Sequence, residues 1–203
     1  MSDKTFIVAK ITVKVFLLSG RDEIFEGSAG KRDKYESWRS DSGKANRGSE
    51  RRKNMAQNIR KAVFQDLSRI AEILVFVKRM NYRPIFKNDS YSFGELQVLS
   101  VAEAYALPDI FNHIWVYDDG IVKGMIRIEG KEIRELYVDS FFQNQGVGAE
   151  LIEFAQKEFS VDFLWALEKN TDAIRFYERH GFHRTETKRL EEGTTEYLIL
   201  LEG

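Results

Sequence analysis

Leu136-Tyr137-Val138-Asp139-Ser140-Phe141-Phe142-Gln143-Asn144-Gln145-Gly146-Val147-Gly148 is the stretch whose reading decides the fold. Its opening, from Glu132 to Val138, is apolar and β-branched enough to form a strand. Its close runs into Ala149–Glu158, where Leu151, Ile152 and Ala155 stand at helical spacing. Strand, glycine turn and helix start together make a site for an anion. The first N–H groups of a helix lack intrahelical partners, and the dipole favours negative charge there. Gly146 and Gly148 let a bulky anion approach the backbone, and Gln143 and Gln145 carry no charge to repel it. The spacing, Gln-x-x-Gly-x-Gly, is neither the Gly-x-Gly-x-x-Gly of a dinucleotide fold nor a nucleotide loop ending in Gly-Lys-Ser/Thr. Taken alone, such a turn can equally be structural.

A second stretch narrows the choice. Leu164-Trp165-Ala166-Leu167-Glu168-Lys169-Asn170 is followed by Thr171-Asp172-Ala173-Ile174-Arg175-Phe176-Tyr177-Glu178-Arg179-His180-Gly181-Phe182. In order and spacing, the two stretches resemble the GNAT superfamily of acyl-CoA-dependent N-acyltransferases. The resemblance is sharp over Glu132–Phe182, fainter from about Gln57 onward, and does not reach the first fifty-odd residues. It implies an α/β (α+β) fold with a mixed, mostly antiparallel, twisted sheet, helices on both faces and a splayed central strand pair.

The resemblance also implies acetyl-CoA as acyl donor. Its pyrophosphate would lie on Gln143, Asn144, Gln145, Gly146, Val147 and Gly148, and its pantetheine arm would pair with the backbone of Leu136, Tyr137 and Val138 as an added strand does. The Val138 N–H is then the candidate oxyanion donor. Asn170 would hydrogen-bond the arm's amides or cap a helix, and Ala173 and Phe176 would wall the site. Tyr177 is the candidate acid. A phenol of pKa about 10 beside a departing thiolate, whose thiol has a pKa near 8.5, can donate a hydrogen bond or its proton. The alternative for Tyr177 is a packing role in an amphipathic helix.

The acceptor amine poses the harder problem. An alkyl amine of pKa about 10.4 is neutral in roughly one molecule in 2500 at pH 7, a deficit of about 4.6 kcal/mol. Glu132 and Glu135 are the candidate bases, on opposite faces of the strand if its pleating is regular. Glu132 matches a catalytic Glu of histone-acetylating relatives; either residue could instead be a solvated charge, with a water chain as the base. By resemblance the acceptor pocket lies between the early helices and the last hairpin. Tyr82, Phe86, Tyr91, Phe93, Tyr105, Trp115, Asp89 and Glu95 offer it aromatic and acidic groups; ordinary packing explains most of them as well. The function expected is N-acetyl transfer to a primary amine, a small molecule or a peptide, by direct attack in a ternary complex. Alternatives are a non-catalytic acyl-CoA sensor and a ribosome- or RNA-associated protein.

The 203 residues suffice for one domain plus an appendage. Without cysteine, there is neither thiolate metal site nor cysteine nucleophile, and a cytoplasmic setting is compatible. His113, His180 and His183 are too scattered for a His-rich metal site, and no metal is expected. Residues 1–54 hold 13 Lys/Arg against 8 Asp/Glu, while the rest is net acidic. Thr5–Leu18 reads as strand-like, Ser19–Asn54 as a flexible basic linker, and the GNAT-like domain as 55–203. The basic arm is read as a solvated tail in preference to a nucleic-acid-binding one. Lys10 and Lys14 break the first apolar run, so no membrane span is expected. A homodimer is left open.

Other elements are read from periodicity and turn chemistry. A strand is expected over Asn58–Val63, and a helix over Asp66–Met80 with Asp66 helping its start. Pro84 should end or bend the chain just after that helix, and a second helix should run from about Phe93 to Ala106. Strands are expected over Asn112–Tyr117 and Ile121–Glu129 around a primed Asp119-Gly120 turn. Strand Asp162–Leu167, helix Asp172–His180 and a strand pair Phe182–Leu190 and Thr195–Leu201 complete the chain.

Overall fold

A computed structural model of the protein describes residues 58–203. The expectations for Thr5–Leu18 and Ser19–Asn54 lie outside the described residues. Seven strands form one sheet in the order β1-β2-β3-β4-β5-β7-β6. They are β1 (Ile59–Lys61), β2 (Ile114–Asp118), β3 (Val122–Glu129), β4 (Glu132–Val138), β5 (Phe163–Leu167), β6 (His183–Leu190) and β7 (Tyr197–Glu202). Every neighbouring pair is antiparallel except β4 and β5, which run parallel. The helices are α1 (Leu67–Phe86), α2 (Val98–Tyr105), α3 (Pro108–Phe111), α4 (Val147–Phe159) and α5 (Thr171–Arg179).

Strand alternation divides the core between two faces. Met125 and Tyr137 pack with Ile70, Leu74 and Val77 of α1 and Val101 and Tyr105 of α2. Ile126, Ile128, Leu136 and Val138 pack with Leu151, Ile152 and Ala155 of α4 and with Ile174 and Tyr177 of α5. This is the expected fold class, with helices on both faces. No helix among the described residues is long and apolar enough to cross a membrane.

Four local readings change. The helix expected to stop at Met80 runs to Phe86 with Pro84 inside it. Buried Tyr82 and Asn81, whose amide donates to the Val77 carbonyl (2.8 Å), hold the extra turn, and Lys87 in the left-handed region closes it. Asp66 does not cap this helix. Its carboxylate accepts from Val63 N (2.8 Å) and from both terminal nitrogens of Arg60 (2.7 and 2.9 Å), tying down the 3-10 turn Phe64–Asp66. The second expected helix is split into a π-helical turn, Ser90–Glu95, and α2, because Arg79 of α1 takes the carbonyls of Ser92 (2.9 Å) and Leu96 (2.8 Å) at the break. The Asp119-Gly120 turn is not primed: only Gly120 has positive φ (+108°), and the Asp118 carboxylate accepts its N–H (2.9 Å) where the β2–β3 register slips.

Candidate functional site

β4 is bound along one edge and only partly along the other. Asp139 N–H donates to the Lys123 carbonyl (2.9 Å), and Gly124↔Val138 and Ile126↔Leu136 are opposed across β3 and β4. In an antiparallel ladder these become the non-hydrogen-bonded pairs. The N–H and C=O groups of Leu136 and Val138 therefore point away from β3, toward β5. Yet β5 pairs with β4 only at Glu132↔Phe163 and Ile133↔Leu164. Beyond that the two strands part, and a row of backbone donors and acceptors faces the gap. The side chains of Leu136, Tyr137 and Val138 are fully buried, so these residues have only backbone to offer there.

The glycine turn is folded by its own amides. Gln143 Nε2 donates to the Val138 carbonyl (2.9 Å) and Gln145 Nε2 to the Phe141 carbonyl (2.9 Å). Asp139 accepts from Phe141 N (2.9 Å) at the start of the 3-10 turn Ser140–Phe142. Asn144 (φ +58°) and Gly146 (φ +94°) then reverse the chain into α4, and Gly146 caps that helix without any side-chain hydrogen bond. The amide-bearing side chains thus shape the loop, while the N–H groups of the first turn, at Val147, Gly148 and Ala149, are left to receive an anion.

α5 begins at Asn170, whose Oδ1 accepts from Ala173 N (3.1 Å), so its capping role is realised. Ala173, Phe176 and Tyr177 face the same packed layer as Leu136, Val138 and Ala166. Phe176 stands edge-on to Tyr177 (5.3 Å between centroids), and Phe182 does the same from the other side (5.8 Å). The Tyr177 hydroxyl is wholly buried and has no hydrogen-bond partner. Burial pushes its pKa well above 10, which keeps it a proton donor. A buried hydroxyl without a partner is rare enough to call for one.

The two glutamates are not on opposite faces. The β3–β4 register slips between Arg127 and Ile128, passing over Arg134, so β4 carries a bulge there. Ile133 and Leu136, three residues apart, consequently pack into one face, and Glu132 and Glu135 share the other. Glu135 is fully buried: Tyr105 Oη donates to its Oε1 (2.6 Å), and Arg127 Nε lies 3.2 Å from its Oε2, off the hydrogen-bond axis. Glu132 is less tied, with Arg134 Nε at 3.2 Å. Its burial raises its carboxyl above the usual range, partly opposed by Arg134 and Arg189, so it accepts a proton more readily than an ordinary carboxylate.

A cavity of about 250 Å³ opens on this same face, between α1, the π-helical turn and the β6–β7 hairpin. Of the aromatic and acidic groups expected there, Tyr82, Phe86, Tyr91 and Glu95 line it. Tyr105 is instead spent on Glu135. Asp89 pairs with Arg83 (2.6 Å) at the surface, and Phe93 lies exposed under Arg79 and Arg83. Trp115 packs against Phe154 and Phe159. Sequence reasoning missed Lys78, Asn88 and the hairpin residues Glu191–Glu196, which complete the lining. Lys78 had left a trace, since it falls on the apolar stripe of α1, four residues after Leu74 and eight after Ile70.

Residues 111–184 match a family model described as an acetyltransferase (GNAT) domain. Over this stretch the chain is similar to that domain. Within it lie β2 to β5, the glycine turn, α4, α5 and the first residues of β6. Among curated proteins, the peptidyl-lysine N-acetyltransferase YiaC of Escherichia coli (strain K12) is 32% identical over 84 residues. That match covers 41% of this chain and 56% of YiaC, so the chain spans about half the length of this relative. Among solved structures, apo YjaB from Escherichia coli superposes with a TM-score of 0.58 at 21% identity, over 71% of this chain and 95% of that one. The protein yncA from Salmonella typhimurium, solved with its cofactor acetyl-CoA, gives 0.51 at 18% identity, over 71% and 91%. Both likenesses show that the chain shares the fold of those proteins.

Proposed function

We propose that this chain is an N-acetyltransferase that moves an acetyl group from acetyl-CoA to a primary amine by direct attack in a ternary complex. The observation that carries the reading is the parting of β4 from β5, whose open backbone edge leads into the glycine start of α4. An acyl-CoA fits this arrangement in two parts. Its pantetheine amides complete the ladder of Leu136–Val138, and its pyrophosphate meets the first turn of α4. YncA was solved with acetyl-CoA, which supports the same donor here.

Each residue then has a role in the transfer. The acceptor nitrogen attacks the thioester carbonyl carbon, and the N–H of Val138 stabilises the oxygen as it gains charge. The C–S bond breaks, its electron pair stays on sulfur, and Tyr177 supplies the proton that yields the free thiol. Glu132, whose burial raises its carboxyl above the usual range, accepts the proton the amine gives up, directly or through water. Residues 1–54 are proposed to be dispensable for the transfer, and a cytoplasmic setting fits a cysteine-free chain using an intracellular donor. The experiment is a titration of acetyl-CoA by calorimetry, followed by an amine screen reporting free CoA. Binding with turnover is expected; binding without turnover on any amine would make the domain a sensor, and no binding would refute the reading.

A further inference from the structure

The cavity between α1 and the β6–β7 hairpin carries a charge pattern that the transfer chemistry alone does not require. Four carboxylates line it against one lining ammonium, from Lys78: Glu95 and Glu192 are exposed, while Glu191 and Glu196 are buried and Glu196 pairs with Lys169 (2.8 Å). They are not evenly placed. Lys78 and Tyr82 are only 2% exposed and form the inner end, where Lys78 Nζ lies 5.8 Å from the ring of Tyr137 on β4. Glu95 and Glu192 are exposed at the rim. Phe86 bridges the wall between them, edge-on to Tyr82 (5.7 Å) and to Tyr91 (6.4 Å). Burial raises the Tyr91 phenol to about 12, with Glu191 and Glu95 adding to the shift, so the negative field reaches the apolar wall.

We propose, resting on the acetyltransferase reading above, that this cavity selects an alkyl amine carrying a second cationic group, bound with the reactive amine innermost and the second cation among the rim glutamates. The gradient does two things. Carboxylates at the mouth attract and hold the distal cation, and the aromatic wall suits both an alkyl chain and a cation beside it. The Lys78 ammonium at the inner end repels a second ammonium, so the amine that reaches β4 is favoured as the neutral base that attack requires. One end of the acceptor is thus bound for its charge and the other is stripped of it.

The test compares 1,5-diaminopentane, 1-aminopentane and 5-aminopentanoate, which share a chain length and differ in the distal charge. Free-CoA release should give a kcat/KM for the diamine at least about tenfold above the monoamine, with the anionic compound lowest. The double variant Glu95→Gln/Glu192→Gln alters only exposed positions and should shrink the diamine-to-monoamine ratio several-fold. A blocked Lys-Arg dipeptide, run beside the diamine, separates a peptide source of the second cation from a free diamine. Calorimetric titration of the diamine without donor reads the cavity independently of turnover. Turnover with equal kcat/KM for all three amines would overturn the inference and leave the acetyltransferase reading intact. Selective diamine binding, lost in the variant, in a protein that does not bind acetyl-CoA would refute that reading and sustain the cavity's charge selection. Calorimetry that finds no preference for the diamine over the monoamine overturns the inference whatever the donor does.

Discussion

Tyr177 ends in a hydroxyl that the folded protein surrounds with apolar side chains and leaves without a partner. Leaving such a group unmet costs about 1–3 kcal/mol, which a Phe would avoid. Tyr177→Phe should therefore be as stable as wild type or more so, while single-turnover acetyl transfer falls by about 10²–10³. The KM for acetyl-CoA should move much less, because ground-state binding rests on β4 and the glycine turn. Unchanged single-turnover rates across pH 6–9 would make Tyr177 a packing residue.

Lys78 is the other residue held at a cost. Burial pulls its ammonium down from 10.5 to about 8; Glu135 and Glu191 pull it back up, and Arg127 adds to the depression. Below about pH 8 both folded and unfolded chains carry the proton, and the fold bears the full burden of a buried ammonium. Between about 8 and 10.5 the unfolded chain binds a proton that the folded one does not, so stability rises with pH through that window. Lys78→Met should raise the unfolding free energy by ~2–3 kcal/mol at pH 7, with the gain fading toward pH 10. Denaturant melts at several pH values read this directly; a gain that is the same at every pH would contradict it.

At the scale of elements, β4 was legible to the residue. Its apolar and β-branched content marks Glu132–Val138, and the Gly130-Lys131 turn leads into it. Its bulge at Arg134 was not, because a register slip belongs to the β3–β4 pair and no single strand encodes it. For the same reason the split before α2 was hidden: it depends on Arg79, more than a dozen residues upstream. Asn170 was readable as a cap because capping is local. The glycine turn permits a clean test of its part in binding. Gly146 sits at φ +94°, so any side chain there would mix backbone strain with charge. Gln145 is exposed and carries no such strain. Gln145→Glu gives up the exposed hydrogen bond to the Phe141 carbonyl, so the melting temperature should fall slightly, while acetyl-CoA binding should weaken by about three- to tenfold at low salt and by less at high salt, a salt dependence that loss of the hydrogen bond alone would not produce. Equal affinity at low salt would detach the pyrophosphate from this loop.

Across the whole molecule, the order of elements was readable from apolar runs and turn chemistry, whereas the two-faced packing was implied only by the family resemblance; β6, polar from His183 to Arg189, carries no apolar stripe of its own. The cavity beside α1 was placed only by resemblance and with part of its lining, since its wall joins Lys78 to Glu196 across more than half of the described chain. Aromatic residues of similar composition went elsewhere: Trp115 to α4, and Tyr105 to Glu135. All seven strands of the described sheet lie at Ile59 or beyond. A chain starting at Met55 should fold cooperatively and keep its turnover. Loss of a cooperative melt would show that Thr5–Leu18 is part of the structure.

The central claim is that acetyl-CoA lies as a strand between β4 and β5, and backbone amide exchange reads it most directly. Exchange would be tracked residue by residue with and without saturating acetyl-CoA. The expected result is slowed exchange and shifted resonances at the N–H groups of Leu136 and Val138 and in the first turn of α4, with β2 and β6 little changed. Saturation with acetyl-CoA that leaves Leu136 and Val138 unaltered would contradict the claim.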